Sequence, residues 1–290
     1  MANSKVSIVT PAFRAERTLK RTVSSVLAQT YADWELMIVA DDGVDYERCL
    51  SDQGVRDRRI RFVSTDRVGT GPSNARNTGL QAASGAVIAL LDADDTFAPE
   101  KLALMVPLAR KFGLVSSAIH FLEDPTGRPL VNHNRRFDHE LLDYEQALFA
   151  HLHTYTLLVY DRERIPNRYD PNISRMEDLV FLSGCFDFVD RIYHVPVELH
   201  HYYHRRDSLC NEANAASRFI SACHEILARL DRGELGVRKL GTRRLLEAFI
   251  ARQLRLEHRF EAALAAKLCT DFQEFLGRSG EAFSPLAVAA

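Results

Sequence analysis

Through its first 120 residues the chain alternates short apolar runs with amphipathic segments, and that alternation restricts the fold more than any other feature. Residues 6–10, 36–40, 60–64, 86–91 and 114–121 read as strands, and residues 16–29, 74–83 and 99–112 as helices. Within 16–29, Leu19, Val23, Val26 and Leu27 recur at the spacing that places them on one helix face. The run 86–91 is continuously apolar, the pattern of a parallel strand covered on both sides. Such alternation predicts an α/β domain, a Rossmann-like, mostly parallel sheet with helices on both faces. Pro, Gly and Asn over 124–134 mark a loop or hairpin tip, and 137–210 is mixed and rich in His, Tyr and Arg. Beyond 211 the pattern is helical. Phe219, Ile220, Cys223, Ile226, Leu227 and Leu230 form one stripe; Leu245, Leu246, Phe249, Ile250 and Leu254 form a second. The expected organisation is one domain over 1–210 and a C-terminal helical region over 211–290.

Composition removes several classes of function. With 37 Lys and Arg against 39 Asp and Glu, the net charge of -2 gives no field to attract nucleic acid. The five cysteines include no Cys-x-x-Cys pair, which argues for a reducing compartment and against zinc. No apolar stretch approaches the ~20 residues of a membrane span, and the start runs directly into the first strand without the apolar core of a signal peptide. These readings predict a cytoplasmic protein.

Chemistry concentrates at strand ends. Leu91-Asp92-Ala93-Asp94-Asp95 follows the buried strand 86–91 directly, and ligands of open α/β sheets collect at the carboxyl ends of strands. Crowded carboxylates favour a hard divalent cation, Mg²⁺ or Mn²⁺, which in turn holds a diphosphate. An acidic N-terminus for the helix after Pro99 is the other reading. Strand one ends at Thr10-Pro11 and strand two at Asp41-Asp42-Gly43, on the same edge. The Asp42 carboxylate suits a base N–H or a ribose hydroxyl, and Asp-Gly is also an ordinary turn pair. Arg76, at a helix start, suits a carboxylate or a phosphate.

These blocks, Val6-Ser7-Ile8-Val9-Thr10-Pro11-Ala12-Phe13, Asp41-Asp42-Gly43, Ala75-Arg76-Asn77 with Gly79 and Gly85, and Leu91-Asp92-Ala93-Asp94-Asp95, resemble in order and spacing a family 2 glycosyltransferase of the GT-A fold. The resemblance covers about residues 5–210. It implies a nucleotide-sugar donor, most often a UDP-sugar, with Thr10, Pro11, Ala12, Glu16 and Asp42 near the nucleoside. Asp94 falls on the metal, and Asp92 or Asp95 completes the metal and donor contacts. Arg175-Met176-Glu177-Asp178 resembles the family's Glu-Asp block, which makes Asp178 the general base, with Glu177 next. The chemistry needs such a group, because an acceptor hydroxyl must lose its proton as it attacks. Helix capping is the local alternative. His204, Arg205 and Arg206 resemble the segment that closes over the diphosphate, with His204 a further metal candidate.

One displacement of this kind inverts the anomeric centre. The Gln-x-x-Arg-Trp block of processive synthases is missing, Trp34 being the single tryptophan, so transfer of one sugar to a saccharide or lipid-linked acceptor in polysaccharide assembly is expected. A sugar nucleotidyltransferase would carry a Gly-rich loop after strand one, where Thr10-Pro11-Ala12-Phe13-Arg14-Ala15 has no glycine. A noncatalytic nucleotide-sugar-binding protein is the other rival. Arg238, Lys239, Arg243, Arg244, Arg252, Arg255 and Arg259 make the last helices basic. They suit an anionic membrane surface, a homodimer contact, or packing on the catalytic half.

Overall fold

The computed structural model describes residues 4–130, 141–150, 158–205, 215–269 and 275. In chain order the elements are β1 (Val6–Ala12), α1 (Leu19–Leu27), β2 (Trp34–Ala40), α2 (Tyr46–Asp52), β3 (Ile60–Ser64), α3 (Pro72–Ala82), β4 (Val87–Leu90), β5 (Thr96–Phe97) and α4 (Lys101–Phe112). There follow β6 (Leu114–Glu123), β7 (Arg128–Pro129), β8 (Leu141–Leu142), α5 (Tyr144–Ala150), β9 (Val159–Asp161), α6 (Glu177–Cys185), β10 (Ile192–His204), α7 (Ala215–Asp231) and α8 (Leu240–Ala265). All the strands join one sheet in the order β3-β2-β1-β4-β9-β6-β10-β5, with β7 on β6 and β8 on β10.

The amino-terminal half is parallel, as the alternation predicts. β1 pairs in parallel with β2, Val6 opposite Trp34, and with β4, Val6 opposite Val87. Side chains alternate across the sheet: Val6 and Ile8 join one core and Val9 the other, while in β4 Val87 and Ala89 face one way and Ile88 and Leu90 the other. That two-period alternation buries both faces at once, which is why these strands read as unbroken apolar runs. Helices α1, α2 and α4 cover one face; α3, α5, α6, α7 and α8 contribute to the core on the other.

The second half adds antiparallel strands to this parallel frame. The three-residue strand β9 inserts between β4 and β6, antiparallel to both. A segment that short shows no periodicity to read. Val9, Leu80 and Ile88 share one apolar cluster with Phe181, Cys185, Cys223, Ile226, Leu246, Phe249 and Ile250. The two helical stripes bury against the sheet half rather than against each other alone.

Two glycines of the sequence blocks owe their place to close approach. A Cβ on Gly79 of α3 would lie 2.6 Å from Val9 Cγ1 and 3.0 Å from Val39 Cγ2, and one on Gly85 would lie 2.6 Å from the Ser7 backbone nitrogen. Gly79→Ala is expected to cost roughly 1–3 kcal/mol by overpacking, read as a lower denaturation midpoint at unchanged slope. An unchanged midpoint would show that α3 can move off the sheet freely.

Candidate active site

The first strand end is built around two aspartates with separate tasks. Asp41 is 4% exposed, and its carboxylate accepts from Thr65 Oγ1 (2.8 Å), Thr70 Oγ1 (2.6 Å), the Thr70 N–H (2.9 Å) and the Gly71 N–H (2.8 Å). It ties β2 to the loop that opens α3. Asp42 turns toward the first loop, accepting from Tyr46 Oη (2.7 Å), the Val44 N–H (3.1 Å) and the Arg14 N–H. Arg14 adopts φ 53°, and this bond holds that turn. Thr10 is fully buried, and its Oγ1 has no partner among the described residues; Pro11 is partly buried, Ala12 buried and Glu16 exposed.

The loop after β4 sends successive carboxylates to different places. The side chains of Asp92 and Asp94 are 29% and 36% exposed, whereas that of Asp95 is 2% exposed. Burial together with the Asp92 charge raises the Asp94 carboxyl to about 6, against the opposing pull of Arg205, whose Nη1 lies 3.6 Å from Asp94 Oδ2. Asp95 is pushed well above the carboxylate range by burial, then by Asp94 and Asp92. Its Oδ2 pairs with His200 Nε2 (2.9 Å) and its Oδ1 accepts the Tyr203 N–H (3.0 Å). Both oxygens of Asp95, an expected metal ligand, thus have partners within the protein.

Arg76, expected at the donor, sits among three carboxylates. Its side chain is 5% exposed, and one guanidinium donates to Asp92 Oδ1 (3.0 Å), Glu177 Oε1 (3.1 Å) and Asp178 Oδ1 (3.0 Å). Burial opposes the Arg76 charge, but Asp178 and Asp92 outweigh it and hold the guanidinium well above its ordinary range. Burial raises the Asp178 carboxyl well above the ordinary value, Arg76 opposes this, and Glu177 and Asp92 add to it. The Asp178 side chain keeps 23% exposure, so solvent reaches it.

The segment bearing Asp178 is fixed from two sides. Asn77 next to Arg76 grips the Tyr169 backbone with both amide atoms, at 2.8 and 3.0 Å, and the Tyr169 ring lies 5.1 Å from the guanidinium. Met176 takes φ 62° as it enters α6, and Cys223 Sγ of α7 lies 3.9 Å from its sulfur. The C-terminal helices therefore support the candidate base.

Sequence reasoning missed Arg21, whose Nη2 donates to the Asp94 carbonyl (2.8 Å), whose Nη1 pairs with Asp124 (2.6 Å), and whose guanidinium stacks 3.5 Å from the Tyr203 ring. An arginine between Leu19 and Val23 gives no local signal of this. Lys101 and His200 were also missed, although a lysine four residues before Met105 on an apolar helix face is a readable anomaly. His204 ends β10, partly buried, its carbonyl accepting the Asp124 N–H at 3.1 Å. Arg206 lies outside the described residues. Among the described residues no three His, Cys, Asp or Glu side chains gather as a ready-made metal cage, and none of the helices is long and apolar enough to cross a membrane.

An open sheet of this order, with acids at the carboxyl ends of β2 and β4 and at the start of α6, has the GT-A transferase fold. It is shared with S. aureus TarS 1–349 in complex with UDP-GlcNAc, at TM-score 0.66 and 15% identity over 97% of this chain and 82% of that one. The mannosyltransferase PcManGT from Pyrobaculum calidifontis, in complex with GDP-Man and Mn²⁺, superposes at TM-score 0.58 and 15% identity, covering 97% and 80%. Residues 7–191 match the model of Glycosyl transferase family 2, and the chain belongs to that family. Escherichia coli WfgD, a UDP-Glc:alpha-D-GlcNAc-diphosphoundecaprenol beta-1,3-glucosyltransferase, is 42% identical over 37% of this chain, a match spanning 41% of WfgD. Bacillus subtilis TuaG, a putative teichuronic acid biosynthesis glycosyltransferase, is 32% identical over 60% of this chain and 69% of its own length.

Proposed function

We propose that the protein is a metal-dependent, inverting glycosyltransferase that moves one sugar from a UDP-sugar to a hydroxyl of a saccharide or lipid-linked acceptor, in polysaccharide or glycoconjugate synthesis. The observation that carries this reading is the Arg76 guanidinium, which joins Asp92 of the acidic loop to Asp178 at the start of α6. The acidic loop and the candidate base thereby meet on one guanidinium. The names of WfgD and TuaG, and the nucleotide sugars held by TarS and PcManGT, support the same class of donor and acceptor.

Asp94 fits a hard divalent cation. It is the most exposed carboxylate of the loop, it offers oxygen ligands, and its repulsion from Asp92 is relieved by positive charge. Asp94, with Asp92 beside it and His204 as a further candidate, would hold Mn²⁺ or Mg²⁺. Such an ion supplies Lewis-acid neutralisation of the diphosphate leaving group. Arg205 grips phosphate oxygens in a charge-assisted pair, with Arg206 a second candidate. Asp42, Thr10 and the Pro11-Ala12 backbone line the nucleoside slot, with Glu16 at its rim. Asp178 takes the acceptor proton from the face opposite the leaving group while Glu177 shares Arg76 with it, and the oriented pair reacts as one local encounter.

A thermal-shift panel of UDP, GDP, TDP and CDP, each with Mn²⁺ and with chelator, tests the reading. A ligand that binds only the native state at a hundred times its Kd adds about 2.7 kcal/mol. A Mn²⁺-dependent shift with UDP is expected; no shift with any nucleotide would overturn the donor site. The basic face of α8 leads to a separate expectation, binding to anionic liposomes at low salt. A protein that stays in solution beside them has no peripheral membrane contact.

A further inference from the structure

Beneath the acidic loop lies a row of ionisable side chains that the proposed transfer does not use. Lys101 and His200 are each 0% exposed and Asp95 is 1% exposed. Lys101 Nζ lies 3.2 Å from His200 Nδ1, and His200 Nε2 lies 2.9 Å from Asp95 Oδ2. Phe97 closes the row, its ring 4.4 Å from the ammonium and edge-on to the imidazole at 5.7 Å. Taking such groups out of water is costly, and apolar residues of similar volume would stabilise the fold as well or better. The row therefore has a use other than stability.

Its hydrogen bonds give the direction of that use. His200 bridges the two, its Nδ1 facing Lys101 and its Nε2 facing Asp95. The other Asp95 oxygen accepts the Tyr203 N–H at 3.0 Å. Two residues further on, Arg205 reaches to 3.6 Å from Asp94, the neighbour of Asp95. From above, Arg21 stacks on the Tyr203 ring and holds the Asp94 carbonyl. Asp95 is thus the pin between the loop that carries Asp94 and the strand end that carries Arg205.

On the reading that Asp94 and Arg205 face the donor diphosphate, we infer that Lys101 and His200 are positioning residues: they lock Asp95 and so set the spacing between those two groups. Neither touches substrate, and their effect appears in donor affinity. Full-length His200→Leu, His200→Gln and Lys101→Met proteins are titrated calorimetrically with UDP in Mn²⁺ and in EDTA, with thermal midpoints recorded. His200→Leu is expected to weaken the Mn²⁺-dependent binding about tenfold, Lys101→Met about threefold, and His200→Gln, whose amide keeps a donor toward Asp95, less than about twofold. A general loss of structure would instead weaken binding equally in Mn²⁺ and EDTA and leave the glutamine variant no better than the leucine one; either result overturns the inference. If the leucine variant does not fold, wild-type affinity in Lys101→Met overturns it. Wild-type protein that binds neither UDP nor GDP removes the functional reading and this inference together. Wild-type binding that is undiminished in a folded His200→Leu protein removes the inference alone.

Discussion

Asp178→Asn is expected to lower turnover by roughly 10²–10⁴-fold, the usual worth of a positioned general base, while UDP binding with Mn²⁺ stays at the wild-type level. Asparagine keeps the shape and can still accept from Arg76, but it cannot take a proton from an acceptor hydroxyl. The split between binding and turnover separates a base from a structural cap, because losing a cap would lower the melting midpoint without selective loss of turnover. The sign of the pH dependence follows from the same environment. A base must be ionised, and burial with two neighbouring acids holds Asp178 well above the ordinary carboxylate range. Activity should therefore fall as pH drops through that raised value, placing the acid limb of kcat/KM above that of a solvent-exposed aspartate. An acid limb near pH 4, or an Asp178→Asn protein that turns over at the wild-type rate, would assign the base elsewhere.

Arg76→Met is expected to have the largest effect on stability. One buried guanidinium balances Asp92, Glu177 and Asp178, and removing one partner of a buried ionic group typically costs about 3–5 kcal/mol because the rest remain uncompensated. The cost depends on pH in a definite direction. Without the guanidinium the Asp178 carboxyl, already raised by burial, loses the charge that opposes that rise and is pushed higher. Carboxylates raised on folding bind more protons in the native state, and stability then falls as pH rises. The gap in melting midpoint between wild type and Arg76→Met should thus widen from pH 5 to pH 8. A gap that narrows over that range would contradict the arrangement of charges described here.

How far the sequence discloses this site depends on the range of the interactions. Asp94 and Asp42 are local events: each follows a strand whose apolar run is readable, and strand ends face the ligand edge of such a sheet. The inward turn of Asp95 is not readable in this way. It depends on the β10–β5 pairing that sets His200 opposite Phe97, a contact between residues a hundred positions apart. Arg76 shows the same limit, since its charge is evident but its meeting with Glu177 and Asp178 depends on α6 folding back onto α3. The strand β9 is too short to carry a period, and the C-terminal stripes display an apolar face without naming the surface that it covers. What could have been read, and was not, is Lys101, a charge on the buried face of an otherwise apolar helix.

The most direct measurement is a calorimetric titration of UDP with Mn²⁺ into the wild-type protein and into Asp94→Asn. The account predicts that the wild type binds UDP in a Mn²⁺-dependent manner, and that Asp94→Asn loses the Mn²⁺-dependent part and keeps only the weaker, metal-independent binding of the nucleoside slot. Equal Mn²⁺-dependent affinity in the two proteins, or no binding of UDP by the wild type, would contradict it.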